Sequence, residues 1–142
     1  PEFSWHTSQL FSEITESKHI QFDIRSLDPG KYSFPYHFHR KAEELFYVIS
    51  GESTLRTPEG FSKVESGDLV FFEEGESSAH QLYNHSAEAC VFLDIRTTPE
   101  IDICEYPDSG KINIIPGFGI FEKSSKVPYF KGEDDVAEKW QD

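Results

Sequence analysis

The sequence predicts an all-β sandwich or barrel, and three observations carry that prediction. Turn residues recur at short intervals through the middle of the chain: Asp28-Pro29-Gly30, Ser50-Gly51, Pro58-Glu59-Gly60, Ser66-Gly67-Asp68, Glu74-Gly75 and Asn84. The runs between them are short and of β type, and helical periodicity is confined to the two ends. With 142 residues, 37% hydrophobic and 15% aromatic, the chain suits one domain with one packed core.

In chain order, Thr7 to Glu16 has the spacing of a short helix. Strand-type runs follow at Ile20 to Arg25, Lys31 to His39, Leu45 to Ile49, Thr54 to Thr57, Leu69 to Phe72, His80 to Tyr83 and Cys90 to Arg96. A second short helix is expected over Asp134 to Trp140, where the opening Asp residues suit an N-cap and first turn. From Lys123 onward the chain is mostly polar with aromatic anchors at Tyr129, Phe130 and Trp140, which reads as an arm docked on the barrel. Parity along Lys31 to His39 is informative. If His37 and His39 face inward, then Tyr32, Phe34, Tyr36 and Phe38 form an aromatic stripe on the other face. Each can bury roughly 150 to 250 Å², so the stripe needs a cover. Leu45 to Ile49 is apolar on both faces, and together these features lead to the expectation of a homodimer, with a terminal arm as the alternative cover.

Charge and composition exclude several functions. Thirteen Lys plus Arg against 26 Asp plus Glu give a net −13, which repels phosphate backbones and anionic membrane surfaces, so no nucleic-acid or membrane partner is expected. No apolar run approaches the ~18 residues of a membrane span and no basic-then-apolar leader opens the chain. The expectation is a cytoplasmic protein. Cys90 and Cys104 lack CxxC spacing and are expected to be free thiols.

His37-Phe38-His39, followed by Glu44, Gly51 and a later His80, is the feature that carries chemistry. In an extended strand, i and i+2 side chains share a face roughly 6.6 Å apart, close enough for two imidazoles to converge on one cation. Six His residues give a chance His-x-His about 0.25 times. Requiring the Glu and the Gly at their positions lowers that to roughly two in a thousand.

These residues resemble the cupin family. Gly30, His37-x-His39, x4, Glu44, x6, Gly51 is similar to the first cupin motif, with Gly30 one residue further from His37 than usual. Gly67-x5-Glu73-x-Gly75-x4-His80-x3-Asn84 is similar to the second, with Glu73 in place of the usual Pro and two extra residues before His80. The tail Glu105-Tyr106-Pro107-Asp108-Ser109-Gly110-Lys111 and Phe130-Lys131-Gly132 resemble a subgroup of small stand-alone cupins. The resemblance implies a double-stranded β-helix (jelly-roll) barrel over 20–115, an N-terminal arm over 1–19 and a docked C-terminal arm over 116–142. It also implies a divalent transition metal inside, held by His37, His39 and His80 as neutral imidazoles and by Glu44 as the anionic ligand. Glu44 is preferred to Glu43 because it shares the face of Phe46 and Val48. His80 is preferred to His85, which lies in a polar turn, and His6 and His19 have no partner pattern. Gly51, Gly67 and Gly75 are expected to serve turns.

Three His and one carboxylate leave two adjacent positions open on a six-coordinate ion, which favours Fe, Mn or Ni over structural zinc, although affinity order would also admit Zn. A small-molecule ligand or substrate is expected there. An oxygenase-type enzyme leads, with a metal-dependent sugar isomerase as a variant and a non-catalytic ligand-sensing module as the alternative of another class. No general base is evident near the motif. The acidic loop Glu73, Glu74 and Glu76 is expected to be a solvated rim that disfavours polyanions such as sugar phosphates.

Overall fold

Short β-type runs separated by glycine and proline turns leave the backbone one way to satisfy its polar groups, which is to pair antiparallel with neighbours. A computed structural model describes residues 2–7 and 15–140 and shows that outcome. The strands are β1 (His6–Thr7), β2 (Ile20–Leu27), β3 (Phe38–His39), β4 (Glu44–Ser50), β5 (Glu52–Thr57), β6 (Gly60–Glu65), β7 (Leu69–Phe72), β8 (Gln81–Tyr83), β9 (Cys90–Thr97), β10 (Asp102–Tyr106), β11 (Lys111–Ile115) and β12 (Gly119–Glu122). They form a five-stranded sheet in the order β1-β2-β9-β4-β7, a four-stranded sheet β12-β11-β10-β3 and a three-stranded sheet β6-β5-β8. The architecture is a double-stranded β-helix. Among the described residues helical structure is limited to short 3-10 turns, including Val136–Trp140 where a helix was expected. The helix expected over Thr7 to Glu16 falls largely on residues 8–14, outside the described residues, and Thr7 belongs to β1.

The barrel interior is graded from apolar to polar, and that gradient positions the site. Across β2, β9 and β4 the register aligns Arg25 with Phe92 and Val48, Asp23 with Asp94 and Phe46, and Gln21 with Arg96 and Glu44. Side chains of one row share a face. At one end Leu27, Phe46, Val48, Phe72, Cys90 and Phe92 pack against Leu55, Val64 and Leu82 of the three-stranded sheet. The rings of Phe46, Phe72 and Phe92 meet at 4.9 to 5.0 Å. At the other end the same inward positions become Asp94, Arg96, Glu44 and Gln21. Gly51 closes the β4–β5 turn at φ 78°, and a Cβ there would clash with the Ala89 carbonyl oxygen, so the motif glycine meets both a conformational and a steric demand. Gly67 and Gly75 also hold positive φ in turns.

The run from Lys31 to His39 is not one strand. Pro35 has no N–H for a ladder, and regular pairing survives only at isolated bridges, Tyr32 with Phe3 and Tyr83 and His37 with His80, before β3 begins. The expected stripe is therefore split, with Tyr36 and Phe38 buried within the chain, Phe34 half-buried and Tyr32 exposed. Tyr36 and Phe38 are buried with Ala79, and the Arg56 and Arg40 guanidinium groups lie 3.9 and 5.3 Å over their rings. Phe34 meets Trp5 at 4.5 Å and Tyr32 meets Phe3 at 6.1 Å, both partners coming from the N-terminal segment. Among the apolar side chains that stay open, Tyr47, Ile49, Leu69 and Phe71 share the outward face of the paired strands β4 and β7. After β12 every described side chain is exposed, Tyr129, Phe130 and Trp140 included. Among the described residues no helix is long and apolar enough to cross a membrane.

Candidate metal centre

The four residues singled out by spacing come together at the polar end of the barrel. His39 lies on β3, Glu44 opens β4, and His37 and His80 face each other across a two-residue bridge, with His80 N donating to His37 O at 2.9 Å. All four are buried. One ligand atom each of His37, Glu44 and His80 lies within 4.8 Å of the others, and His39 Nε2 is 3.6 Å from Glu44 Oε2. The His80 ring is stacked on Phe72 at 3.7 Å and 17° and meets Phe46 edge-on, so core aromatics fix its plane.

The outer nitrogens decide which atoms face the centre. His37 Nδ1 donates to the Pro35 carbonyl at 2.7 Å, His80 Nδ1 to the Ser78 carbonyl at 2.8 Å, and His39 Nδ1 to Asp102 Oδ2 at 2.6 Å. A carbonyl only accepts, so the proton sits on Nδ1 and each Nε2 turns a lone pair inward. There His80 Nε2 stands 3.2 Å from Glu44 Oε2, and neither atom has a hydrogen-bond partner. Two buried acceptors cannot satisfy each other, and each left bare costs about 1–3 kcal/mol. The donor set fits a divalent cation, with the Nδ1 partners serving as the orienting groups that metal-bound imidazoles require. Burial, with help from neighbouring His80, pushes the His37 pKa down to about 3, and burial lowers that of His80 to about 4. Both rings are therefore neutral and ready to ligate at neutral pH. Cys104 also lies near His37 and His39. Burial pushes its thiol up to about 12, so the sulfur holds its proton at neutral pH and is the poorer ligand.

A cavity of about 190 Å³ adjoins the cluster. It is smaller than the ~300 Å³ at which drug-sized sites begin, which limits occupants to small molecules. Its walls are polar to a degree the sequence did not suggest, for Gln21, Arg25, Asp94, Arg96 and Tyr106 all line it. Asp94 is the most unusual of these. Its Oδ2 accepts from Arg25 Nε at 2.6 Å, while its buried Oδ1 has no partner. Burial, and then the charge of the neighbouring Glu44 carboxylate, raise the Asp94 pKa well above the usual carboxylate range against the pull of Arg25. Asp102 shifts the other way. Burial alone would raise it, but hydrogen bonds from His39 and from the Lys41 and Ile103 N–H groups outweigh that and keep it ionised.

The other candidates fall where the spacing argument put them. His85 bonds Thr54 Oγ1 at 2.7 Å on the surface, exposed His6 pairs with Asp28, and His19 and Glu43 are exposed. Glu73, Glu74 and Glu76 are exposed and do not line the cavity, so they set no charge condition on what enters it. Asn84, the last motif residue, is a buried brace whose amide donates to the Leu27 and Glu88 carbonyls at 2.8 Å each. Cys90 and Cys104 are free and buried. Sequence reading missed Asp94, Arg96 and Asp102. The first two carried a signal, since they share the parity of Cys90 and Phe92 on one strand and charged residues at inward parity mark a polar interior. Asp102 carried none.

A family model described as a cupin domain matches residues 24–96. The chain is similar to the structure of a putative sugar phosphate isomerase from Acidithiobacillus ferrooxidans, with 27% identity and a TM-score of 0.72 over 78% of this chain and 72% of that one. It is also similar to a cupin-superfamily sugar phosphate isomerase from Silicibacter pomeroyi (21% identity, TM-score 0.78, 87% and 80% covered). A third similar structure is the polyketide cyclase RemF from Streptomyces resistomycificus (22%, 0.58, 66% and 64%). No curated protein sequence matches.

Proposed function

Because the chain belongs to the cupin family, we propose that it is a metal-dependent enzyme of the isomerase type, which moves a proton between adjacent carbons of a small hydroxylated carbonyl compound. The observation that carries this reading is the bare, buried Asp94 Oδ1 on the cavity wall beside the imidazole cluster. His37, His39, Glu44 and His80 would hold the ion, which can be Fe, Mn, Ni or Zn by donor type. When bound, the ion supplies Lewis-acid polarisation of the substrate's carbonyl and hydroxyl oxygens. Asp94 Oδ1 takes the proton from the hydroxyl-bearing carbon and returns it to the former carbonyl carbon, while the hydroxyl proton passes to the former carbonyl oxygen. No oxidant or reductant is consumed. Arg25 holds Asp94 by its other oxygen and so fixes the direction in which Oδ1 points. Phe22, Phe34 and Ile115 on the walls exclude water. The likeness to a putative sugar phosphate isomerase supports the same reaction class.

The oxygenase-type reading expected from the motif stands second. It rested on open metal positions and an aromatic interior and lacked a proton-transfer group, whereas the cavity walls mix apolar residues with charged ones and Asp94 provides such a group. The test uses metal-loaded protein in D2O with a panel of aldoses, ketoses and their phosphates. Carbon-bound deuterium should appear without dioxygen uptake, and Asp94→Asn should slow exchange by about 100-fold or more with metal content unchanged. Dioxygen uptake without exchange would move the assignment to an oxygenase. Neither event, with a compound that still raises the melting temperature through the metal, would make the protein a binding module.

A further inference from the structure

Arg96 is a charge without a counter-charge in a place where one was available. It sits on β9 directly between Gln21 of β2 and Glu44 of β4 in the same cross-strand row. Side chains in such a row start about 5 Å apart, so an Arg96–Glu44 ion pair would be the ordinary outcome. Instead Glu44 turns toward His39 and His80. Arg96 donates from Nη2 to the neutral Gln21 Oε1 at 2.8 Å, and among the described residues no carboxylate lies within ion-pair distance of it. The other cavity arginine contrasts with it, since Arg25 is 2.6 Å from Asp94 and 3.7 Å from Asp23. A half-buried guanidinium left with one amide oxygen keeps most of its donors for something that enters the cavity.

We propose that Arg96, held in place by Gln21, is the anion clamp of this cavity, so that the substrate carries a carboxylate or a phosphate group in addition to the oxygens that face the imidazole cluster. The inference rests on the reading of the cavity as the substrate site, but not on the kind of reaction run there. Arg96 is a binding residue in this scheme and takes no part in proton transfer.

The experiment is isothermal calorimetry on zinc-loaded protein with acetate, inorganic phosphate and, as the neutral control, glycerol. At least one of the two anions should bind, and glycerol should not depend on Arg96. Arg96→Gln should weaken anion binding by about 10- to 100-fold with zinc content unchanged, the loss expected for one charge-assisted, two-pronged contact. Arg96→Lys keeps the charge and loses the fork, so it should fall between the two, and it serves where the glutamine variant does not fold. Lys139→Gln, the same charge change on the exposed C-terminal segment, should leave affinity untouched. A preference for acetate assigns the clamp to a carboxylate and a preference for phosphate assigns it to a phosphate monoester. Equal anion affinity in wild type and both Arg96 variants overturns the clamp and leaves the isomerase reading intact. Loss of deuterium exchange with Arg96-dependent anion binding preserved would overturn the isomerase reading alone.

Discussion

The metal-free protein should lose stability as pH falls from 7 to 5, and the loss is carried by the imidazole cluster. His37 and His80 have folded-state pKa values of about 3 and 4, against about 6.5 in the unfolded chain. Between those limits the unfolded chain binds protons that the folded chain refuses, so stability falls with falling pH. Integrated from pH 7 to 5, each ring contributes a loss of about 2 kcal/mol, or about 4 kcal/mol together. That is a large share of the ~5–15 kcal/mol that holds a domain folded. Asp94 works in the opposite sense. Its folded pKa is raised, so the folded chain takes up a proton there first and recovers part of the loss. Asp94→Asn should therefore make the decline steeper, and His80→Gln should remove about half of it. Urea denaturation of chelator-treated protein reads this directly, since with a slope near 2 kcal/mol per molar the full loss moves the midpoint by about 2 M. A flat midpoint between pH 7 and 5 in Asp94→Asn would refute the account of the cluster as buried neutral imidazoles.

Other outcomes follow from the same contacts. The double variant His37→Ala with His39→Ala should carry under a tenth of an equivalent of transition metal by elemental analysis, and Asp102→Ala, which frees His39 Nδ1, should weaken metal binding by about 10- to 100-fold in a competition titration. Gly51→Ala should destabilise by about 2 kcal/mol or more in chemical denaturation, because it combines a positive φ with a clash against the Ala89 backbone. The expectation of a homodimer is carried forward on the exposed face at Tyr47, Ile49, Leu69 and Phe71. Light scattering should give twice 16.3 kDa, with Leu69→Glu shifting it to the monomer, and a wild-type monomer at micromolar concentration would end that expectation.

Legibility in the sequence followed the range of the physics involved. Runs such as Leu69–Phe72 and Cys90–Thr97 announce themselves because strand signals are local and glycine turns bound them. The run before His39 misled, because parity was carried through Pro35 without a ladder to maintain it. The site's four inward residues were legible because two of them are set by i, i+2 geometry and the others by motif spacing. Asp102 was not, since what places it against His39 is the β3–β10 pairing, in which Cys104 sits opposite His39 across 65 positions of chain. Arg96 and Asp94 fall between these cases. Their parity was readable, but only the register of β2 and β4 against β9 shows that they end up beside Glu44.

The polar end of the barrel is a standing expense in folding free energy, and its form is specific. Glu44 Oε2, His80 Nε2 and Asp94 Oδ1 are buried without partners. At about 1–3 kcal/mol each they cost a total comparable to the net stability of a domain. Random burial of polar groups would scatter such atoms, yet among the described residues all of them but Ser53 Oγ lie in one cluster, where the His80 ring is bonded to Ser78 and the Asp94 carboxylate to Arg25 by their other atoms, and the neighbouring His37 and His39 rings are bonded to Pro35 and Asp102. Fixing the outer atoms leaves the inner lone pairs no way to relax toward each other or toward solvent. A bound cation and an incoming proton donor are the species that would relieve them, and each would find its partners already oriented. The folding penalty at this end is thus the same quantity as the preorganisation of the site, offset by the phenylalanine core at the other end of the same three strands.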